Sequence, residues 1–158
     1  MIRRADPADR AAVELIVQAA YSIYIERIGK PPGPMLDDYE HLIAAETVHV
    51  CDGPDGAVAA LIVLLPKRDH LLLDNIAVRP DRQGLGLGRR LIAFAENETR
   101  RLGFAEIRLY THEMMTENIA LYARLGFVET GRGHVDGYDR VFMTKRLDQP
   151  GLKIVDFP

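Results

Sequence analysis

"VRPDRQGLGLGRRLI", residues 78–92, decides how this chain is read. It sets Gly84, Gly86 and Gly88 at alternate positions, after an apolar stretch and before a helical pattern. Glycine costs a helix or strand roughly 0.5–1 kcal/mol relative to alanine, so three in five residues need a cause. A Rossmann turn requires G-x-G-x-x-G, and its third glycine would fall on Arg89. No acidic ribose-binding residue is clearly placed on a following strand, and the G-K-[ST] of a P-loop is missing. A tight strand-to-helix turn without a ligand would be satisfied by a lone glycine. Bare N–H groups at the start of a helix instead form a nest for an anion. Arg89 and Arg90 oppose the helix dipole there by roughly a few tenths of a kcal/mol, which suits a nearby polyanion; a solvated basic face is the alternative.

Working outward, "IRRA" reads as a first strand, and residues 6–28 read as one helix with Asp6 as N-cap, Pro7 in the first turn and Asp9 at the positive end of the dipole. "GKPPGP" breaks it, and "MLDDYEHLIAAE" reads as a second, short helix. "TVHVC", "AVAALIVLL" and "HLLLDNIAV" follow as strands of an antiparallel meander, separated by "DGPDG" and "PKRD". The helix opened by the glycines closes at Gly103, "FAEIRLYT" is a strand, and "TENIALYARLG" is a helix ended by Gly126. "FVETGRG" and "YDRVFMTKRL" make the last strands. The order β-α-α-β-β-β-α-β-α-β-β predicts an α/β fold around a mixed sheet, with a parallel pair across the glycine-flanked helix. One domain over residues 1–147 is expected, with residues 148–158 as a peripheral tail.

The chain has 158 residues, 47% hydrophobic and 27% charged, with a formal net charge of -3. That is the composition of a single globular domain, and it gives no electrostatic reason to expect nucleic acid or an anionic membrane. The one cysteine, Cys51, excludes an internal disulfide and a multi-cysteine zinc site. The opening "MIRRADPADR" lacks an apolar signal core, so a cytoplasmic location is expected. His41, His49, His70 and His134 have no metal-ligand spacing, and no metal is implied.

"VRPDRQGLGLGRRLI" resembles the acetyl-CoA signature Q/R-x-x-G-x-G/A of the Gcn5-related N-acetyltransferases. Gln83 fills its first position, Gly86 and Gly88 its glycines, and Val78 and Pro80 the usual lead-in. "NIALYARLGF" looks like the family's second hallmark, a helix with a tyrosine followed by "LGF", and the resemblance covers nearly the whole chain. It implies a mixed central sheet with helices on both faces, in which the strand ending at Val78 splays from the strand around residues 107–111. The pantetheine arm would lie in that gap along Ile76, Ala77 and Val78. The pyrophosphate would sit on the turn of Gln83, Gly84, Leu85, Gly86 and Gly88, beside Arg89. The activity implied is an acyltransferase reaction that moves acetyl from acetyl-CoA directly to a primary amine of a small molecule or peptide.

Such a reaction needs an acceptor for the ammonium proton, a donor for the tetrahedral oxyanion and a proton for the leaving thiolate. The resemblance assigns the last to Tyr122 and the oxyanion to a backbone N–H near Ile76. The histone-modifying branch places its glutamate base at the position of Leu72. Asp74, two residues on and on the same strand face, is the leading candidate here, with His112 and Glu113 as rivals. The asparagine that many members carry seven residues before the tyrosine is replaced by Met115; Asn118, one helical turn from Tyr122, either substitutes for it or packs.

For the acceptor, "YSIYIERIGKPPGPMLDDY" gathers Tyr21, Tyr24, Glu26, Asp37, Asp38 and Tyr39 around a stiff bend, with Asn75 on the neighbouring strand. Aromatic faces and carboxylates suit a cationic amine; equally, the tyrosines could close the core and the acids be solvated. Two other classes stay open: a non-catalytic acyl-CoA-binding or sensory module, and an interaction protein whose glycine turn is structural. A homodimer is compatible with the family but has no residue-level support.

Overall fold

A computed structural model describes residues 1–147; the expected tail lies outside the described residues. β1 (Ile2–Arg4) leads into a turn where Asp6 accepts the Ala8 N–H and Asp9 accepts the Asp6 N–H, a reciprocal cap. The Arg3 guanidinium grips both Asp9 (2.7 Å) and Asp52 (2.9 Å), pinning the cap to the sheet edge. The expected long helix is broken. α1 spans Arg10–Tyr21, a 3₁₀ turn covers Ser22–Tyr24, and α2 (Ile25–Ile28) ends at Gly29, whose φ is +85°. The cause is tyrosine burial: three residues per turn bring positions i and i+3 onto one side, so Tyr21 and Tyr24 both turn inward. The second helix also begins later than expected. Residues Gly33–Leu36 form a 3₁₀ turn, and α3 (Tyr39–Ala44) is capped by Asp38, which accepts the His41 N–H at 3.1 Å.

The remaining elements are β2 (Val48–Asp52), β3 (Val58–Pro66), β4 (Leu71–Val78), α4 (Leu87–Arg101), β5 (Glu106–His112), α5 (Thr116–Arg124), β6 (Val128–Val135) and β7 (Tyr138–Arg146). They form one sheet in the order β1-β2-β3-β4-β5-β7-β6, antiparallel except at β4–β5. Helices on the two faces bury two separate cores. Val13 and Val17 of α1 pack on Val50, Leu61 and Val63; Leu91 of α4 packs with Ile62, Leu71, Ile107 and Met143 on the other face. β3 contributes to both, which explains its unbroken apolar run.

One irregularity shapes everything beyond it. β3 pairs with β4 at Ile62↔Ile76 and Val63↔Asn75, then resumes at Leu64↔Leu73, leaving Asp74 as an extra residue. Before this bulge Leu71 and Leu73 face the α4 core; after it Ile76 and Val78 do, while Asn75 and Ala77 turn toward α1. Asp74 keeps the face of Leu72, as period two predicts, and the bulge adds Asn75 to that face. The parallel pairing with β5 covers only Leu71↔Ile107, Leu72↔Arg108 and Leu73↔Leu109. It stops at the bulge, where the added twist turns β4 away from β5.

Candidate active site

The splay leaves an edge of β4 facing a gap. Arg79 N–H donates to Ala59 O at 2.9 Å, so in this antiparallel ladder residues 77 and 75 also bond to β3. Ile76 and Val78 alternate with them and point their N–H and C=O groups into the gap. Two side chains use those carbonyls: Tyr21 Oη donates to Ile76 O (2.9 Å) and Gln83 Nε2 to Val78 O (3.2 Å). The N–H groups of Ile76 and Val78 are thereby aimed where an extended ligand chain would run. Ala77, expected among the cofactor contacts, turns its backbone to β3 and its side chain into the α1 core.

At the mouth of the gap stands the glycine turn. Gly84 (φ +80°) and Gly86 (φ +84°) occupy the left-handed region, which L side chains rarely adopt. Gly88 has no such need, and a Cβ there would meet nothing within 4 Å. Folding alone does not call for glycine at 88, whereas close approach of a ligand to the backbone does. The first turn of the fifteen-residue α4 has no side-chain cap, so its N–H groups stay available to an anion. Arg79 is clamped on Asp81 (2.7 Å), and Arg82 lies 3.6 Å from Asp55 with its Nε buried and unpartnered. Arg89 and Arg90 are exposed and make no ion pair among the described residues. Bare backbone, an uncapped helix start and spare cationic donors fit the pyrophosphate of coenzyme A.

Past the bulge the gap widens into a cavity of about 130 Å³, walled by residues from α1, the 28–37 segment, β4, β5, α5 and β7. Tyr122, Asp74 and His112, far apart in sequence, all reach this wall, and Asn118 joins them. Tyr122 is buried against Phe127, with ring centroids 5.8 Å apart, and its hydroxyl has no partner among the described residues. Burial pushes that hydroxyl's pKa above the usual tyrosine value, so it stays protonated at neutral pH. His112 accepts the Met114 N–H on Nδ1 (3.0 Å), which puts its proton on Nε2; burial holds its pKa down and keeps it neutral. Glu113, its sequence neighbour, is exposed and not on the wall. Met115 is buried, and the Asn118 amide lies 3.7 Å from its sulfur.

Of the residues expected to hold the acceptor, Tyr21 and Asn75 reach the cavity, yet Asn75 is already engaged. It is 2% exposed, with Tyr21 Oη 2.6 Å from its carbonyl oxygen and its amide donating to Tyr39 Oη at 2.9 Å. Tyr39 in turn donates to Pro34 O (2.6 Å), so this chain of bonds ties β4 to α1, α3 and the segment above. Tyr24 is buried under the Arg27 guanidinium, and Glu26 is exposed away from the cavity.

The structure adds residues that sequence reasoning missed. Tyr110 donates to Asp74 (2.9 Å), and the Arg140 guanidinium stacks on the Tyr110 ring at 4.0 Å. Tyr138 lies edge-on to His112 and donates to Pro31 O (2.6 Å), closing the wall. The Asp37 carboxyl faces the same space. Although much of that residue is open to solvent, desolvation of the carboxyl and then the Asp74 charge push its pKa up to about 6, against the pull of Arg140.

This arrangement is that of an acyl-CoA transferase fold, and comparison with known proteins agrees: the acetyltransferase (GNAT) family model matches residues 14–127, and the chain belongs to that family. Its sequence is 39% identical over 75 residues to the ribosomal protein bS18-alanine N-acetyltransferase of Escherichia coli K12. That match covers 48% of this chain and 51% of the relative, so the chain spans about half the length of that curated protein in the alignment. The crystal structure of the Escherichia coli ribosomal-protein-S18-alanine N-acetyltransferase superposes with a TM-score of 0.73 at 25% identity, covering 97% of both chains. YncA of Salmonella typhimurium, solved with its cofactor acetyl-CoA, superposes with a TM-score of 0.71 at 25% identity over 95% of each chain.

Proposed function

We propose that this protein is an acetyl-CoA-dependent N-acetyltransferase acting on a primary amine. The observation that carries the reading is the gap past Asp74, which opens beside the glycine turn at one end and under the Tyr122 hydroxyl at the other. Acetyl-CoA supplies the activated acetyl group as a thioester. The turn at 83–88 and the start of α4 hold its pyrophosphate, and the N–H group of Val78 aligns its pantetheine.

An arriving ammonium has no lone pair and must first lose a proton. Asp37 takes it, its proton affinity raised toward neutral pH by desolvation and by the neighbouring Asp74 charge. His112 offers an Nε2–H, which makes it a donor rather than this base. The free amine attacks the thioester carbon, forming the C–N bond, and the Ile76 N–H stabilises the oxyanion. As the C–S bond breaks, Tyr122 gives its proton to the departing thiolate, and the nitrogen's second proton restores Tyr122. The sum is an amide, free coenzyme A and one released proton.

No helix among the described residues is long and apolar enough to cross a membrane. A cytoplasmic setting belongs to the same proposal, and the free, buried Cys51 thiol suits a reducing compartment. The test is thiol release from acetyl-CoA across a panel of amines, with the acetylated product identified by mass. Tight coenzyme A binding without turnover on any amine would instead make this a binding module.

A further inference from the structure

The acceptor cavity contains a cation as well as two carboxylates, and its placement is informative. The Arg140 side chain is only 15% exposed, and the nearest carboxylate among the described residues is Asp136, 3.9 Å away and 83% exposed. Neither Asp37 nor Asp74, which share the cavity, forms an ion pair with it. A guanidinium held out of water needs a counter-charge, and stacking on Tyr110 supplies only part of one. Tyr110 touches both charges, its hydroxyl donating to Asp74 and its ring lying under Arg140. The cavity therefore presents carboxylates and a guanidinium on one wall, with Tyr110 in contact with both Asp74 and Arg140.

We propose that the acceptor is a small amino acid with a free carboxylate: its ammonium lies by Asp74 and Asp37, and its carboxylate pairs with the Arg140 fork. This rests on the transferase reading and narrows it, because a peptide N-terminus has its carboxylate converted to an amide and offers the Arg140 fork no bidentate partner. A planar fork that matches a carboxylate bidentately makes arginine, rather than lysine, the apt residue at 140.

The test compares amino acids with their amides and decarboxylated amines, as acceptors and as ligands of the protein saturated with coenzyme A. In the wild type, the amide should lose about 30-fold or more in kcat/KM, mostly through KM. Arg140→Met should bring the amino acid to the level of its amide, and Arg140→Lys should fall between. Coenzyme A should still raise the Tm of both variants, which shows that they fold. Equal use of acids and amides, preferential use of peptide N-termini, or an intact preference in Arg140→Met overturns the proposal. Thermal protection by amino acids that depends on Arg140 but yields no acetylated product would uphold the carboxylate site and defeat the transfer reading. Turnover of amines regardless of a carboxylate would do the reverse.

Discussion

The glycine turn and the acceptor cavity adjoin one another but are built in opposite ways. The turn is six consecutive residues, three of them glycine, whose useful groups are backbone N–H donors. The cavity draws single side chains from six parts of the chain, and one bulged residue in β4 sets which of them share a face. A site made of backbone depends on local φ and on a helix start. A site made of side chains depends on register, and a shift of one residue would move Asp74 or Asn75 to the other face.

The comparison can be broken most directly at the turn. Gly86→Glu places a side chain at φ +84° and a negative charge among the nest donors; acetyl-CoA affinity should fall by about 100-fold or more in calorimetric titration. Normal affinity would show that the phosphates lie elsewhere. On the cavity side, Tyr122→Phe should lower kcat by about 100-fold and leave coenzyme A binding nearly unchanged, within the usual range for loss of a general acid. An unaltered kcat would remove the hydroxyl from the reaction.

Gly88→Ala separates folding from binding within the turn itself. Its Cβ has open space and the helix gains a better former, so the unliganded protein should gain up to about 1 kcal/mol in denaturant unfolding. Acetyl-CoA affinity should drop several-fold in the same variant; unchanged affinity would mean that no ligand approaches residue 88.

Asp37 gives the smallest effect, and its sign is specific. Its folded pKa of about 6 is raised above the ordinary aspartate value of 3.8, so its protonated form is favoured by the fold. That contribution is complete below about pH 4 and is lost as pH rises toward and through 6. Asp37→Asn should therefore raise Tm slightly at pH 8 and leave it unchanged near pH 4. The acid limb of kcat/KM near pH 6, where the wild-type base protonates, should disappear in the same variant.

Much of the fold was legible because its signals are local. Apolar periodicity marked the strands and helices, Asp6 marked the first cap, and Gly103 and Gly126 take the positive φ expected of helix ends. The single helix expected over residues 6–28 was misread because its periodicity averages over a 3₁₀ turn that only the burial of Tyr21 and Tyr24 requires. The resemblance implies a pantetheine contact at Ala77, but ladder alternation commits its backbone to β3. Tyr110 and Arg140 carried no signal beyond membership of a strand face, since which face borders a cavity is not written in either strand.

What the sequence by itself determined is the donor end: three alternating glycines at a helix start read as an anion nest, and the family resemblance of the tyrosine before "LGF" places the proposed proton donor. Those features act through backbone conformation and short-range geometry, which neighbours in sequence control. Only the tertiary structure decided the acceptor end. The unpaired Asp74 stops the β4–β5 ladder, and the resulting gap, the Asp37 carboxyl above it and the Arg140 cation beside it exist only once seven strands have taken their order.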